Sequence, residues 1–513
     1  MNKSEAAIFS CDNTSYKELN FLSELIGAYV NNSETLKEFY QFEPSINGII
    51  ESATHKKFEG REALVVEIQK QYAGIELGTA VTENISLLKS DTSFVCVAAH
   101  QLNIFLGPLY YVHKILDLLK TVTVLNEYQS DFNFVPVFVL GSEDHDQEEI
   151  NNTTIKHKEY QWQTNQKGAI GRYIIDENFI KLRDALIQNL SNTTLIEVLK
   201  NSYTLGEQYS VGHRKFLHLL FQKHGLIIVD LDAAFFKVQC HSIFKDEVVY
   251  HRAHAILKDT LVVLNSEFKI QAKPRDINLF SLANHDRKYI QNVDEFENTA
   301  ISDLSPNVIM RPLMQQKVLP AVCFIGGAGE LGYWLELKKL FDFYQIQFPV
   351  LSLRNHILYA DSKTKNKLDQ WEISCKDLWL QENEIVQKIL KKNSPYTTLF
   401  KEIIPDVNTI FKKIETSADL LDKTLISAVG AEKAKFQNAL EHLEKKFLKA
   451  EKRKNDELVN AVSHLKNNFF PEGILMERKN NFMDYYDRYG DAYLDELLNL
   501  IGPFSKDVLF LYH

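Results

Sequence analysis

At 513 residues the chain is too long for one hydrophobic core, so two or three domains are expected. Its 45% hydrophobic and 25% charged content is that of an ordinary soluble globular protein, and no window approaches the ~20 apolar residues of a membrane span. A net charge of −10, with lysines and arginines spread along the chain, argues against nucleic acid or an anionic membrane as partner.

The N-terminus, MNKSEAAIFSCDNTS, lacks the apolar core of a signal peptide, so a cytoplasmic location is expected. The five cysteines (Cys11, Cys96, Cys240, Cys323 and Cys375) form no CxxC pair, which indicates neither a disulfide framework nor a zinc knuckle. Residues 1–90 read as a helical segment packing on a core, with Leu25, Ile26 and Tyr29 at helical spacing and a further helix from Arg61 after Gly60.

The stretch from Phe94 to Asn151 carries the clearest pattern. An apolar run ends in His100-Gln101, Gly107-Pro108 opens an amphipathic helix from Leu109 to Leu125, and a second apolar run, Phe134 to Leu140, leads into Gly141-Ser142-Glu143-Asp144-His145-Asp146. This is a parallel βαβ unit, and its polar loops leave the carboxyl ends of strands, where α/β sheets gather ligands. Further core strands are expected at Leu226–Asp232, Leu319–Ile325 and Phe348–Arg354, with Asn307–Pro312 as a strand tip. The fold class is therefore α/β, a parallel-sheet core over 91–362 with inserted segments at about 151–205 and 264–306. In the first insertion, Gly168–Ile175 reads as a strand or hairpin. From 363 to 513 the sequence becomes charged and helix-favouring. Phe436, Leu440, Leu443, Phe447 and Ala450 mark an antiparallel coiled-coil hairpin at about 411–465, broken near Gly430, before a tail returns to the core.

Three clusters could carry chemistry. Gly326-Gly327-Ala328-Gly329-Glu330, between strand and helix, suits an anion or is simply a tight turn, and it matches neither the dinucleotide nor the P-loop spacing. Glu143–Glu149 could bind a metal, serve as a general base, or hold an ammonium, or it could be a solvated acidic helix start. Gln101 and Gly107 lead to His113 and Lys114, which suit phosphate or carboxylate recognition, although His113 could equally be a core histidine. This loop, with Ser362-Lys363-Thr364-Lys365, bears a distant analogy to the paired loops of class I synthetases and nucleotidyltransferases.

Taken together, His100-Gln101, Phe105–Tyr110, His113-Lys114, Gly141–Asp146, Glu149–Asn151, Arg311-Pro312, Gly326–Glu330, Tyr333-Trp334 and Glu477-Arg478 resemble the BshC family, the cysteine-adding enzymes of bacillithiol biosynthesis. His100 stands where the family usually has Gly, and Ser142 where Ala is common. The resemblance implies a Rossmann-like core with connecting insertions and a coiled-coil region that makes a homodimer. It also implies the last step of bacillithiol synthesis, joining L-cysteine to glucosaminyl-malate through an amide. Such a reaction needs an activated acyl group, and hence ATP or another nucleotide, but no metal is indicated. Asp144, His145 and Asp146 become the candidates for deprotonating the amine. Arg311, Lys114 and His113 would meet the malate carboxylates, and Gly326, Gly327 and Gly329, with Glu330, would cradle a phosphate or carboxylate. Two other readings stand beside it: a non-catalytic dimeric scaffold of the same pathway, and a class I-like nucleotidyltransferase acting on another small acid. Clustering of Gln101, His145, Arg311 and Gly327 around one pocket would favour an enzyme.

Overall fold

The computed structural model describes residues 7–128, 131–271, 273–393, 395–454 and 456–513. The chain forms two compact units, one built from residues 7–8, 15–357 and 477–509, the other from 9–14, 358–476 and 510–513.

The first unit is organised on a five-stranded, all-parallel sheet: β1 (Ser93–Gln101), β2 (Asn133–Gly141), β3 (Ile227–Asp230), β4 (Ala321–Gly326) and β5 (Val350–Leu353). Its lateral order is β5-β4-β1-β2-β3. These strands read as unbroken apolar runs because helices cover both faces, leaving nearly every side chain buried. Pro136 sits just before pairing with β3 begins at Val137↔Ile227, near the end of that ladder. Between β1 and β4 the winding reverses direction, and the loops leaving the two strands diverge to open a crevice at the carboxyl ends. Helix α1 (Tyr110–Glu127) connects β1 to β2 and is buried along most of its length.

Side chains from the first ninety residues close both edges of this sheet. On β5, the Tyr29 hydroxyl accepts from the Leu351 amide (3.1 Å) and donates to its carbonyl (3.0 Å). On β3, Tyr72 accepts from Ile228 N–H (2.8 Å), while Gln71 accepts from Asp230 N–H (2.8 Å) and donates to its carbonyl (2.9 Å). Exposed edges invite strand pairing with other chains, and these contacts occupy them.

Three local expectations are corrected. Gly168–Ile175 is not a strand. The hairpin lies earlier, at Asn152–Ile155 and Lys158–Gln161, and Ile170–Arg172 is a tight turn. Gly171 explains this, because a Cβ there would sit 2.4 Å from Ser142 Cβ. The turn instead donates Ile170 N–H to Asp144 O and Gly171 N–H to Ser142 O, both at 2.8 Å. Asn307–Pro312 is not a strand tip either: Asn307 Oδ1 accepts Ile309 N–H (2.8 Å), which starts helix α2 (Met310–Val318). The helix expected after Glu330 begins earlier, as α3 (Ala328–Glu336), and breaks before Lys338–Phe343.

The second unit is dominated by antiparallel helices α4 (Pro395–Leu421) and α5 (Leu425–Lys454). Phe400 meets Phe447 with ring centroids 5.6 Å apart, and Phe411 meets Phe436 at 6.1 Å. The turn falls at Asp422-Lys423-Thr424, where Asp422 Oδ1 accepts Thr424 N–H (2.8 Å); Gly430 lies inside α5. Ser362–Lys365 is the first turn of helix Ser362–Gln370, capped by Asp361, rather than a loop. Among the described residues no helix is long and apolar enough to cross a membrane.

Candidate active site

At the carboxyl ends of β1, β2 and β4 lies a cavity of about 720 Å³, wholly within the first unit. Gln101, Lys114, Asp144, His145, Arg311, Gly327, Gly329 and Glu330 all line it, so residues more than two hundred positions apart converge on one space. Its two walls differ in chemistry.

One wall carries cations paired with carboxylates. Arg354, at the end of β5, is only 1% exposed, and its two terminal nitrogens donate to Glu477 at 3.0 and 2.7 Å. Burial would weaken this guanidinium, but the Glu477 carboxylate keeps it charged and raises its pKa. Burial opposes ionisation of Glu477 too, yet Arg354 and His356 hold its carboxyl well below the usual range. Arg354 lies 4.9 Å over the Tyr110 ring and Arg478 5.9 Å from it, so that ring supports two cations. Lys114 donates to Glu330 (2.6 Å) and to Ala99 O (2.9 Å), while Glu330 accepts Gly327 N–H (2.8 Å) at the start of α3. Lys114 and Glu330 thus brace each other. A Cβ at Gly327 would meet Glu330 Oε2 at 3.5 Å and Arg354 Nε at 3.8 Å, ordinary contact distances.

The other wall is the loop after β2. Asp144 accepts the Gln101 side-chain amide (2.8 Å) and the His145 N–H (2.7 Å). Burial pushes its carboxyl up, but Arg311, Gln101 and Arg287 together bring it below the ordinary value. Gln101 also reaches Glu149 at 3.2 Å. Beneath the loop, Lys237 binds Asp232 and lies 2.9 Å from Glu143, and Arg172 clasps Asp232 through two nitrogens at 2.7 and 2.8 Å. Glu143 therefore belongs to the foundation of the loop.

Three buried N–H groups on cavity-lining residues have no hydrogen-bond partner among the described residues: Arg354 Nε, Arg287 Nε and Gln315 Nε2. Buried donors are rarely left unpaired.

Four of the expected residues do not line the cavity. His113 is fully buried behind Arg354, 3.7 Å from Glu477, because α1 turns that face into the core. Gly107 is a packing glycine: a Cβ would lie 2.1 Å from Thr153 Oγ1. Asp146 caps the short helix Gln147–Ile150. Gly326 packs on Phe324 and Leu331. Conversely, Arg354, Arg287, Arg275, Phe280 and Tyr289 line the cavity with no sequence signal to mark them. For Arg354 the only hint is an arginine directly after an apolar strand. Among the described residues, no group of three or more His, Cys, Asp or Glu is placed to hold a metal.

Comparison with known proteins fits this geometry. Residues 9–355 match the family model for the N-terminal Rossmann-like domain of bacillithiol biosynthesis BshC, and residues 357–513 match that for its C-terminal coiled-coil domain. A BshC protein of Flavobacterium psychrophilum is 33% identical over 98% of this chain and 99% of its own length, and one from Flavobacterium johnsoniae is 34% identical over 97% and 98%. A more distant relative, from Staphylococcus haemolyticus, is 26% identical over 71% of this chain and 73% of its own. All three are named as candidate cysteine ligases. With both halves matched and near-complete overlap at 33% identity, the chain belongs to the BshC family.

Proposed function

We propose that this protein is a cytoplasmic ligase that joins L-cysteine to the amine of glucosaminyl-malate through an amide, the last step of bacillithiol biosynthesis. The observation that carries this reading is one cavity with a fixed, buried cation on one side and hydrogen-bonded carboxylates on the other. Malate brings two carboxylates, which suit Arg354, Arg478 and Arg311. The amine approaches as an ammonium and must lose a proton before attack, which suits the Asp144–His145 loop beside Gln101. Asp146, as a helix cap, acts on that loop's shape rather than on substrate.

The acyl carboxylate needs activation, most simply as a phosphate or adenylate, so ATP or another nucleotide is the co-substrate in this reading. Its phosphates are of the right charge for Arg354 and Arg478, although the loop at Gly327 lacks P-loop spacing and its first amide is taken by Glu330. Incubating purified protein with cysteine, glucosaminyl-malate and ATP, then resolving products by mass, tests the proposal. Amide formation coupled to nucleotide cleavage is expected; neither amide nor nucleotide turnover would reject it. Convergence of Gln101, His145, Arg311 and Gly327 on one cavity favours this over the scaffold reading.

The hairpin supports a homodimer. Ile410, Leu420 and Leu421 are 55%, 85% and 82% exposed, an apolar surface that a second copy would cover. Changing all three to Ser should turn a dimer into a monomer in sedimentation; a wild-type monomer would dismiss the assembly.

A further inference from the structure

We infer that His145 is held by Arg287 as the Nε2–H tautomer and presents that N–H, as a fixed hydrogen-bond donor, to an acyl or carboxylate oxygen of the substrate. Arg287 Nη1 lies 3.0 Å from His145 Nδ1. A guanidinium has only donors, so Nδ1 must offer its lone pair, and the proton of the neutral ring sits on Nε2. Among the described residues Nε2 has no hydrogen-bond partner, and His145 lines the cavity. An imidazolium would need an acceptor at Nδ1. Asp144 Oδ1 is the nearest, at 3.7 Å, but Arg287 stands closer, and Arg311 adds a second cation beside the same carboxylate.

Arg287 is mounted firmly enough to impose this. It lies 3.9 Å over the Phe280 ring, which stacks on Tyr289 at 4.0 Å, and Arg275 covers the far face of Tyr289 at 3.7 Å. Phe280 and Tyr289 are paired across an antiparallel ribbon, so the backbone sets the stack. The tip of that ribbon packs on Gly168, where a Cβ would lie 2.9 Å from the His285 carbonyl carbon. The adjoining turn at Ile170-Gly171 grips the backbone of Ser142 and Asp144. Imidazole and guanidinium are thus referenced to one frame. Arg287 is a positioning residue, and His145 stabilises oxygen rather than removing the amine proton.

The proposal deepens the ligase reading, and its first test does not depend on it. In full-length protein with ¹⁵N-labelled histidine, long-range ¹H–¹⁵N correlation reports each ring's tautomer, with H145Q assigning the signal. The expected wild-type pattern at neutral pH is Nε2–H. R287M, which keeps a chain over Phe280 but cannot donate, should shift population to Nδ1–H facing Asp144, and R287K should keep the wild-type pattern. An imidazolium or Nδ1–H pattern in wild type, or no change in R287M, overturns the assignment. In turnover, H145Q retains an N–H where Nε2–H stood, so it should stay within about tenfold of wild type, whereas H145A and H145N lose about 10²-fold. H145Q falling as far as H145A overturns the donor role. Wild type making no amide rejects the ligase reading alone, since the tautomer arm still decides this one.

Discussion

The two walls of the cavity are charged by different means. Behind Arg354 every group is buried: Glu477 is 0% exposed, His356 is driven down to about 4 by burial, and Asp117 is pushed up to about 7 by burial despite two hydrogen bonds from Asn355. On the Asp144 side the groups are partly open, and amides, backbone N–H and arginines set their charge. The first arrangement fixes a cation permanently for an anionic ligand. The second keeps acceptors and a donor near water, where a proton can leave. In the proposed reading anion binding tolerates rigidity, whereas proton handling requires exchange, which the loop after β2 would supply.

Breaking the buried wall should have the largest effect. Replacing Glu477 with Ala leaves the Arg354 charge unpaired and should cost about 3–5 kcal/mol of stability in urea unfolding; a loss below about 1 kcal/mol would mean that Arg354 reaches water. Because the folded Glu477 carboxyl lies below its unfolded value, its stabilisation is present above about pH 4.3 and fades as pH falls toward the folded value. Asp117 has the opposite sign. Its folded pKa, about 7, lies above the unfolded value near 3.9, so its contribution is complete in acid and is lost as pH rises through 7. The stability difference between wild type and Asp117→Asn should therefore change by something on the order of 3 kcal/mol between pH 4 and 7.5, and parallel curves would contradict this. Arg354→Met tests the wall's function: losing a charge-assisted contact of about 2–3 kcal/mol should raise KM for the anionic substrate roughly 30- to 150-fold, with a smaller change in kcat.

The same division explains what could be read from the sequence. The sheet was legible because strands buried on both faces appear as apolar runs, and β2 could be placed with its loop from Phe134–Asp146 alone. Gln101, Asp144 and Gly327 were legible because each follows directly on such a run. Arg354 was not, since its partner Glu477 lies 123 residues away and nothing local marks an arginine as buried. Arg287 sits in a polar turn whose purpose depends on aromatic rings stacking across a ribbon, a contact that periodicity does not encode. His113 misled for the converse reason: a helix covered on all sides gives no sign of which polar residue faces the cavity.

The smallest effect, and the sharpest on the open wall, belongs to Gln101. Its amide nitrogen bridges Asp144 at 2.8 Å and Glu149 at 3.2 Å, separating two carboxylates that would otherwise face each other without a donor between them. Gln101 is also one of the groups that hold the Asp144 carboxyl low. Gln101→Ala removes both hydrogen bonds; losing the shorter one, to Asp144, is worth about 1.5 kcal/mol, so kcat/KM should fall roughly tenfold while the fold is unaffected. The Asp144 carboxyl should then titrate higher, moving the acidic limb of the kcat/KM profile to higher pH. Arg354→Met, acting on the opposite wall, should leave the limb in place. If both variants moved it equally, the two walls would be electrostatically one, and the separation of anion binding from proton handling would fail.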